Sequence, residues 1–267
     1  MKSGNNGVIW LLAAGVSAAA LISACGGDSK SRMAIRRDTA PAEASSAQQG
    51  PAKKIDSKTA GTISGSVKWT GPKPPVEKID VSGSPQCLLV SKETIYKEQL
   101  VVNPNDTVRD CIVSIDMADV YEPPKEPFTV DQIGCRYVPH VFVVMAGQKL
   151  NIKSSDQTQH NVHYLAMNDG SIEDNFAMSV PSTKSRTFTA ADMIKFKCEM
   201  HPWMSAWGAV KTHPFFAVTG EDGTFTIANV PAGTYKLTMH HEKLGDQETQ
   251  ITVEANRTAT YDFTLKQ

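Results

Sequence analysis

Ile194-Lys195-Phe196-Lys197-Cys198 has the pattern of a short strand, and Cys198-Glu199-Met200-His201-Pro202-Trp203-Met204 turns away from its end. A thiol, an imidazole and a thioether fall within seven residues of that turn. A loop so short can wrap its donors around one ion. Outward from it the chain is a succession of short β-type runs between turn signals, with no long segment of helical period. Expected strands before the loop are 62–69, 100–102, 111–116, 140–144, 149–154, 161–166 and 185–189. After it come 206–211, 224–227, 235–240, 249–253 and 260–265. Strands so short and so evenly spaced predict an all-β protein built from β-sandwiches. Pro74-Pro75 and Pro123-Pro124 mark loops, and 169–183 is polar enough for a loop or a short helix.

The donor chemistry narrows the ion. Soft sulfur with imidazole serves both Cu(I) and Cu(II), and a trigonal set of two His and one Cys with a weak axial Met describes a blue-copper site. The loop lacks one imidazole. His160, at the head of His160-Asn161-Val162-His163-Tyr164 and just after the polar loop Ser154-Ser155-Asp156-Gln157-Thr158, is the candidate. Zinc also takes Cys and His tetrahedrally, but thioether sulfur is a poor zinc ligand.

Here the sequence resembles a family. Cys198, His201 and Met204 at three-residue spacing with Pro202 after the His look like the short ligand loop of amicyanins, and His160-Asn161-Val162-His163 looks like their first ligand strand. The resemblance to cupredoxins covers about residues 137–211. It implies a cupredoxin-like Greek-key β-sandwich holding one type 1 copper, with His160, Cys198 and His201 equatorial and Met204 axial. Asn161 is expected beside the site, tying the two ligand segments together. His163 is expected to point away, since residues three apart on a strand face opposite sides.

A second resemblance lies near the C-terminus. Glu221-Asp222-Gly223-Thr224-Phe225 and Asn229-Val230-Pro231-Ala232-Gly233-Thr234-Tyr235 look like the turn–strand units of the carboxypeptidase regulatory-like (transthyretin-like) β-sandwich. Gly61-Thr62-Ile63-Ser64-Gly65-Ser66-Val67 looks like that family's opening strand. The expected organisation is therefore discontinuous. Residues 59–97 carry first strand(s) assigned to the C-terminal sandwich, 98–212 the copper domain, and 213–267 a smaller Ig/transthyretin-like sandwich.

The first residues have another character. Lys2, an apolar run from Val8 to Ile22 and then Leu21-Ile22-Ser23-Ala24-Cys25 read as a secretory signal over 1–24. Small residues before a Cys resemble the lipobox of bacterial lipoproteins, which implies a lipid on Cys25 and a membrane-anchored protein in the periplasm or on the cell surface. An uncleaved anchor helix is the alternative, though a span needs about 18 or more apolar residues. Residues 25–58 are small, polar and charged and are expected to form a flexible stalk, with Arg36 and Arg37 solvated or near headgroups.

Five cysteines occur. With Cys25 lipidated and Cys198 a ligand, Cys87, Cys111 and Cys135 supply at most one bridge. Cys87 with Cys135 is the preferred pair, because both adjoin loop-like segments while Cys111 lies in an alternating run; the sequence leaves this pairing open. His140 is expected to be buried and hydrogen-bonded, and His240-His241 to lie on a solvated edge beside Glu242. Trp203 and Trp207 are candidates for an apolar collar around His201 or for ordinary packing.

A formal net charge of -1 argues against a nucleic-acid partner. No nucleophile motif, paired-carboxylate signature or second copper pattern points to an enzyme. The function expected is a lipid-anchored one-electron carrier serving a redox partner protein. The alternative is a carbohydrate- or protein-binding module, or a copper reserve, in which the metal is structural.

Overall fold

The computed structural model describes residues 52–168 and 172–266. The signal segment, Cys25, Arg36 and Arg37 lie outside them. Strand β1 (Ala60–Trp69), the six-residue helix α1 (Pro85–Val90) and β2 (Ile112–Ile115) come first. Nine strands follow: β3 (Phe128–Gln132), β4 (Tyr137–Val138), β5 (Val141–Met145), β6 (Lys149–Ser154), β7 (His160–Ala166), β8 (Glu173–Met178), β9 (Ser182–Thr187), β10 (Asp192–Lys197) and β11 (Ser205–Lys211). They pair as two sheets, ordered β5-β11-β10-β7-β8 and β4-β3-β6-β9. These form the central sandwich. The chain ends with β12 (Phe216–Val218), β13 (Thr224–Pro231), β14 (Gly233–His241), β15 (Gly245–Val253), β16 (Thr258–Thr260) and β17 (Phe263–Leu265).

The terminal sandwich is discontinuous in sequence. β1 pairs antiparallel with β13 and parallel with β16 and β17, making one sheet, and β12-β2-β14-β15 makes the other. Gly65 is required in β1, because a β-carbon there would meet the Tyr261 carbonyl oxygen at 1.7 Å. The protein is thus all-β, two sandwiches threaded through one another.

Burial alternation explains the inward faces. β7 buries His160, Val162, Tyr164 and Ala166, and β10 buries Ile194 and Phe196 with Cys198 next in phase. His160 and Cys198 therefore project from the same side as the apolar core. That core includes Tyr137, Phe142, Leu150, Ile152, Met178 and Phe196, all almost fully buried. Each such side chain contributes about 1.5–3 kcal/mol of burial. β5 is buried at every position because it has two apolar neighbours. Phe142 and Val144 face the central core, while Val141 and Val143 meet Ile112 and Ala209 at the junction between sandwiches.

Four expectations are corrected. The expected strand 111–116 forms as β2 but pairs with β12 and β14, so the central sandwich does not begin at residue 98; Phe128 opens its first strand. β2 is buried on both faces because Val113 and Ile115 enter the terminal core while Ile112 packs on Val141, Val143 and Ala209 at the junction. Conversely, part of 59–97 packs on the central core through Ile79, Val81, Cys87, Val90 and Ile95. Within 169–183 the chain makes β8 and the start of β9; β8 is a polar edge strand whose side chains are half-buried at alternate positions. Residues 100–102 contribute only a bridge between Val102 and Val108.

Candidate metal centre

The site is assembled by the pairing of β7, β10 and β11. Lys197 lies opposite His163 on β7 and opposite Ser205 on β11. The loop 198–204 is therefore the connection between two paired strands, and the head of β7 arrives beside it. The loop closes on itself: Cys198 N–H donates to the Met204 carbonyl at 3.1 Å, and Met204 N–H to the His201 carbonyl at 2.8 Å.

His160, Cys198 and His201 converge. Their donor atoms all lie within 4.8 Å of one another, and the residues are 0, 2 and 5% exposed. His160 Nδ1 and His201 Nδ1 are 3.0 Å apart, and Cys198 Sγ is 3.6 Å from His201 Nδ1. Nitrogen and sulfur donors bind a first-row ion such as zinc at about 2.0–2.3 Å, so two of them sharing an ion in a trigonal set stand roughly 3.5–3.8 Å apart. The donor spacing fits such an ion after slight expansion, and the soft sulfur–imidazole set fits copper. Met204 is 1% exposed and packs in the same core cluster as Cys198.

The surroundings tune the three groups. Burial works against the Cys198 thiolate, but a hydrogen bond with His160 and backbone donors of Asn161, Met200 and His201 outweigh it and hold the thiol below its ordinary range. Burial likewise opposes the His160 cation, yet bonds to Asp156 and Cys198 raise its pKa. His201 is lowered, first by burial and then by repulsion from His160. One ring thus favours its neutral, ligand-competent form.

Asn161 bridges β7 and the ligand loop. Its Oδ1 accepts the N–H groups of Glu199 (2.7 Å) and Met200 (3.3 Å) and lies 3.3 Å from Cys198 Sγ, so β7 grips the ligand loop. His163 points outward to Glu199 and Glu173, at 2.5 and 2.6 Å. Trp203 lies against His201, ring centres 5.4 Å apart, and donates Nε1–H to the Cys135 carbonyl. Trp207 does not join it; Trp207 Nε1–H donates to Glu242. His140 is buried and bonded to the Ser205 carbonyl and to Glu242, which is itself nearly buried rather than on a solvated edge. His241 is also buried, and His240 pairs with Asp246.

Sequence reasoning missed Asp156. Its Oδ2 is 2.9 Å from His160 Nε2, and its two oxygens accept the N–H groups of Gly134 (2.7 Å) and Cys135 (2.8 Å). A carboxylate on the far nitrogen fixes the tautomer that leaves Nδ1 free to bind metal. The only available signal was its position four residues before His160. Cys87 and Cys135 are joined in a disulfide and Cys111 is free and buried, its thiol pushed up to about 12 by burial.

Residues 209–266 match the model of the carboxypeptidase regulatory-like domain. The match covers the contiguous strands β12–β17 but not β1 and β2, which complete those sheets from upstream. No curated protein sequence matches the chain. Among solved structures, a reduced Cu(I) amicyanin variant is similar at 23% identity over 37% of this chain and 98% of its own, with a TM-score of 0.30. The copper-containing nitrite reductase NirK of Thermus scotoductus SA-01 is 18% identical over 36% of this chain and 25% of its own, at 0.29. A purple cupredoxin from Nitrosopumilus maritimus is 15% identical over 32% of this chain and 99% of its own, at 0.28. Likeness at this level leaves the site to be judged on its own geometry.

Proposed function

We propose that this protein is an extracytoplasmic blue-copper protein that carries single electrons, with His160, Cys198, His201 and Met204 as ligands of one copper ion. The observation that carries this is the convergence of two imidazole Nδ1 atoms and one thiol on a single buried point. When bound, copper would supply one-electron exchange between Cu(I) and Cu(II).

The chain's own residues supply rigidity and a dry site. Asp156 orients His160, Asn161 holds the loop, and the paired strands fix Cys198, so few atoms have reason to move when the charge of the site changes. Trp203 and the ligand residues exclude water. No enzymatic step is assigned. A lipid on Cys25 would tether the carrier and residues 25–58 would give it reach toward a partner protein of unassigned identity.

The match of 209–266 to the carboxypeptidase regulatory-like domain supports a second reading, a binding module with a structural metal. Voltammetry of the copper-loaded protein separates the two. A carrier gives one reversible one-electron wave that Cys198→Ala abolishes; bound copper without a wave favours the binding module.

A further inference from the structure

The Cys87–Cys135 disulfide packs directly on the donor set. Its two sulfurs and a ring nitrogen of His201 lie within 4.8 Å of one another, and the Cys135 sulfur forms a similar group with Asp156 and His160. With Cys198 these make one continuous patch of buried donor side chains.

Cys135 is aimed at the site without help from the disulfide. It lies in the link 133–136 between β3 and β4, which Ile133 and Arg136 close by bonding to each other and whose two central residues, Gly134 and Cys135, have φ 63° and 54°. Positive φ at both central positions is the geometry of a primed hairpin turn, in which a residue with a β-carbon is strained. Two contacts from the site over-determine that conformation. Asp156 accepts the Gly134 and Cys135 N–H groups, and Trp203 Nε1–H donates to the Cys135 carbonyl at 3.1 Å.

Cys87 is held differently. It rides on α1, a single short helix with no side-chain cap on its first turn and with Leu88 and Leu89 exposed. A helix of this length has little stability of its own, so α1 is the segment whose opening admits a reductant to the buried sulfurs.

We propose that reduction of Cys87–Cys135 creates a second, thiolate-rich Cu(I) site, formed by those two sulfurs alongside His201 and next to the first. The reductant is a dithiol. One of its thiolates attacks a sulfur of the bridge, forming a mixed disulfide as the Cys87–Cys135 bond breaks; its second sulfur then closes the reductant's own disulfide and releases the other cysteine. Two electrons and two protons pass to the protein. Each cysteine gives its proton to water on binding Cu(I), for which soft thiolates are the preferred donors. The oxidised chain holds one copper and the reduced chain two. The location of this site rests on the proposed ligand role of His201, yet the two assignments fail separately.

The test uses the full chain, metal-free, oxidised or reduced with a phosphine that is then removed anaerobically. Cu(I) is supplied from a competing chelator and counted by native mass spectrometry, with free thiols counted by alkylation and the fold followed by near-ultraviolet circular dichroism. One copper on the oxidised chain and two on the reduced chain are expected, with protection of both new thiols from alkylation. The Cys87→Ser/Cys135→Ser double variant should take one under both conditions. One copper on a reduced chain whose thiols are free overturns the inference, as does loss of the fold on reduction. No copper on the oxidised chain strikes instead at the proposed function.

Discussion

Asp156 Oδ2 lies 2.9 Å from His160 Nε2, while the other nitrogen of that ring faces His201 Nδ1 at 3.0 Å. One buried carboxylate therefore sets the orientation of the first ligand and, through Gly134 and Cys135, the turn beside it. Asp156→Asn keeps the shape and removes the charge. Copper affinity measured by chelator competition should fall about 10–100-fold, the usual cost of losing a partner behind a metal-bound His. Unchanged affinity would show that His160 needs no such partner.

Asn161 joins β7 to the ligand loop by accepting the N–H groups of Glu199 and Met200. Asn161→Ala leaves both without that acceptor. Chemical unfolding of the metal-free protein should show a loss of about 1–3 kcal/mol. A variant as stable as the parent would mean that the loop is held by its own backbone bonds alone.

Burial pushes His213 and His241 down to about 4 from the ordinary 6.5. The unfolded chain therefore takes up these protons first. The stability each histidine contributes is complete above about pH 6.5 and is lost as pH falls through about 4. The loss has a geometric cause, since His213 Nδ1 accepts the Phe215 N–H and His241 Nδ1 those of Lys243 and Leu244, which a protonated ring cannot do. The unfolding free energy of the metal-free protein should fall over that window. His213→Asn/His241→Asn should flatten the profile, by on the order of 3 kcal/mol for each full shift. Identical slopes in parent and variant would contradict this.

Gly65 approaches the Tyr261 carbonyl so closely that no β-carbon fits. Gly65→Ala forces β1 away from the link between β16 and β17, and should lower stability by about 1–3 kcal/mol. Thermal unfolding followed by circular dichroism checks this. A variant that melts with the parent would remove β1 from the terminal sandwich.

Several of these features were legible because the sequence states them locally. Cys198, His201 and Met204 lie in one loop, His160 heads a strand, and Gly61 to Val67 carries the pattern of an opening strand. Others depend on what packs against them from a distance. Ile112–Ile115 reads as a strand of either sandwich, and only its pairing with β12 and β14 assigns it. Asp156 sits among Ser155, Gln157 and Thr158, where a solvated loop carboxylate looks the same as one buried under a ligand. Nothing near Cys87 or Cys135 in the chain announces that their sulfurs rest against His201, because that neighbourhood forms only when α1 folds over the ligand loop.

The most direct test of the central claim is the visible spectrum of the protein after addition of one equivalent of Cu(II), taken beside that of Cys198→Ala. An intense thiolate-to-copper band that colours the parent blue and is absent from the variant is the expected result. A copper-loaded parent that stays colourless, or a variant that keeps the band, would contradict ligation by Cys198.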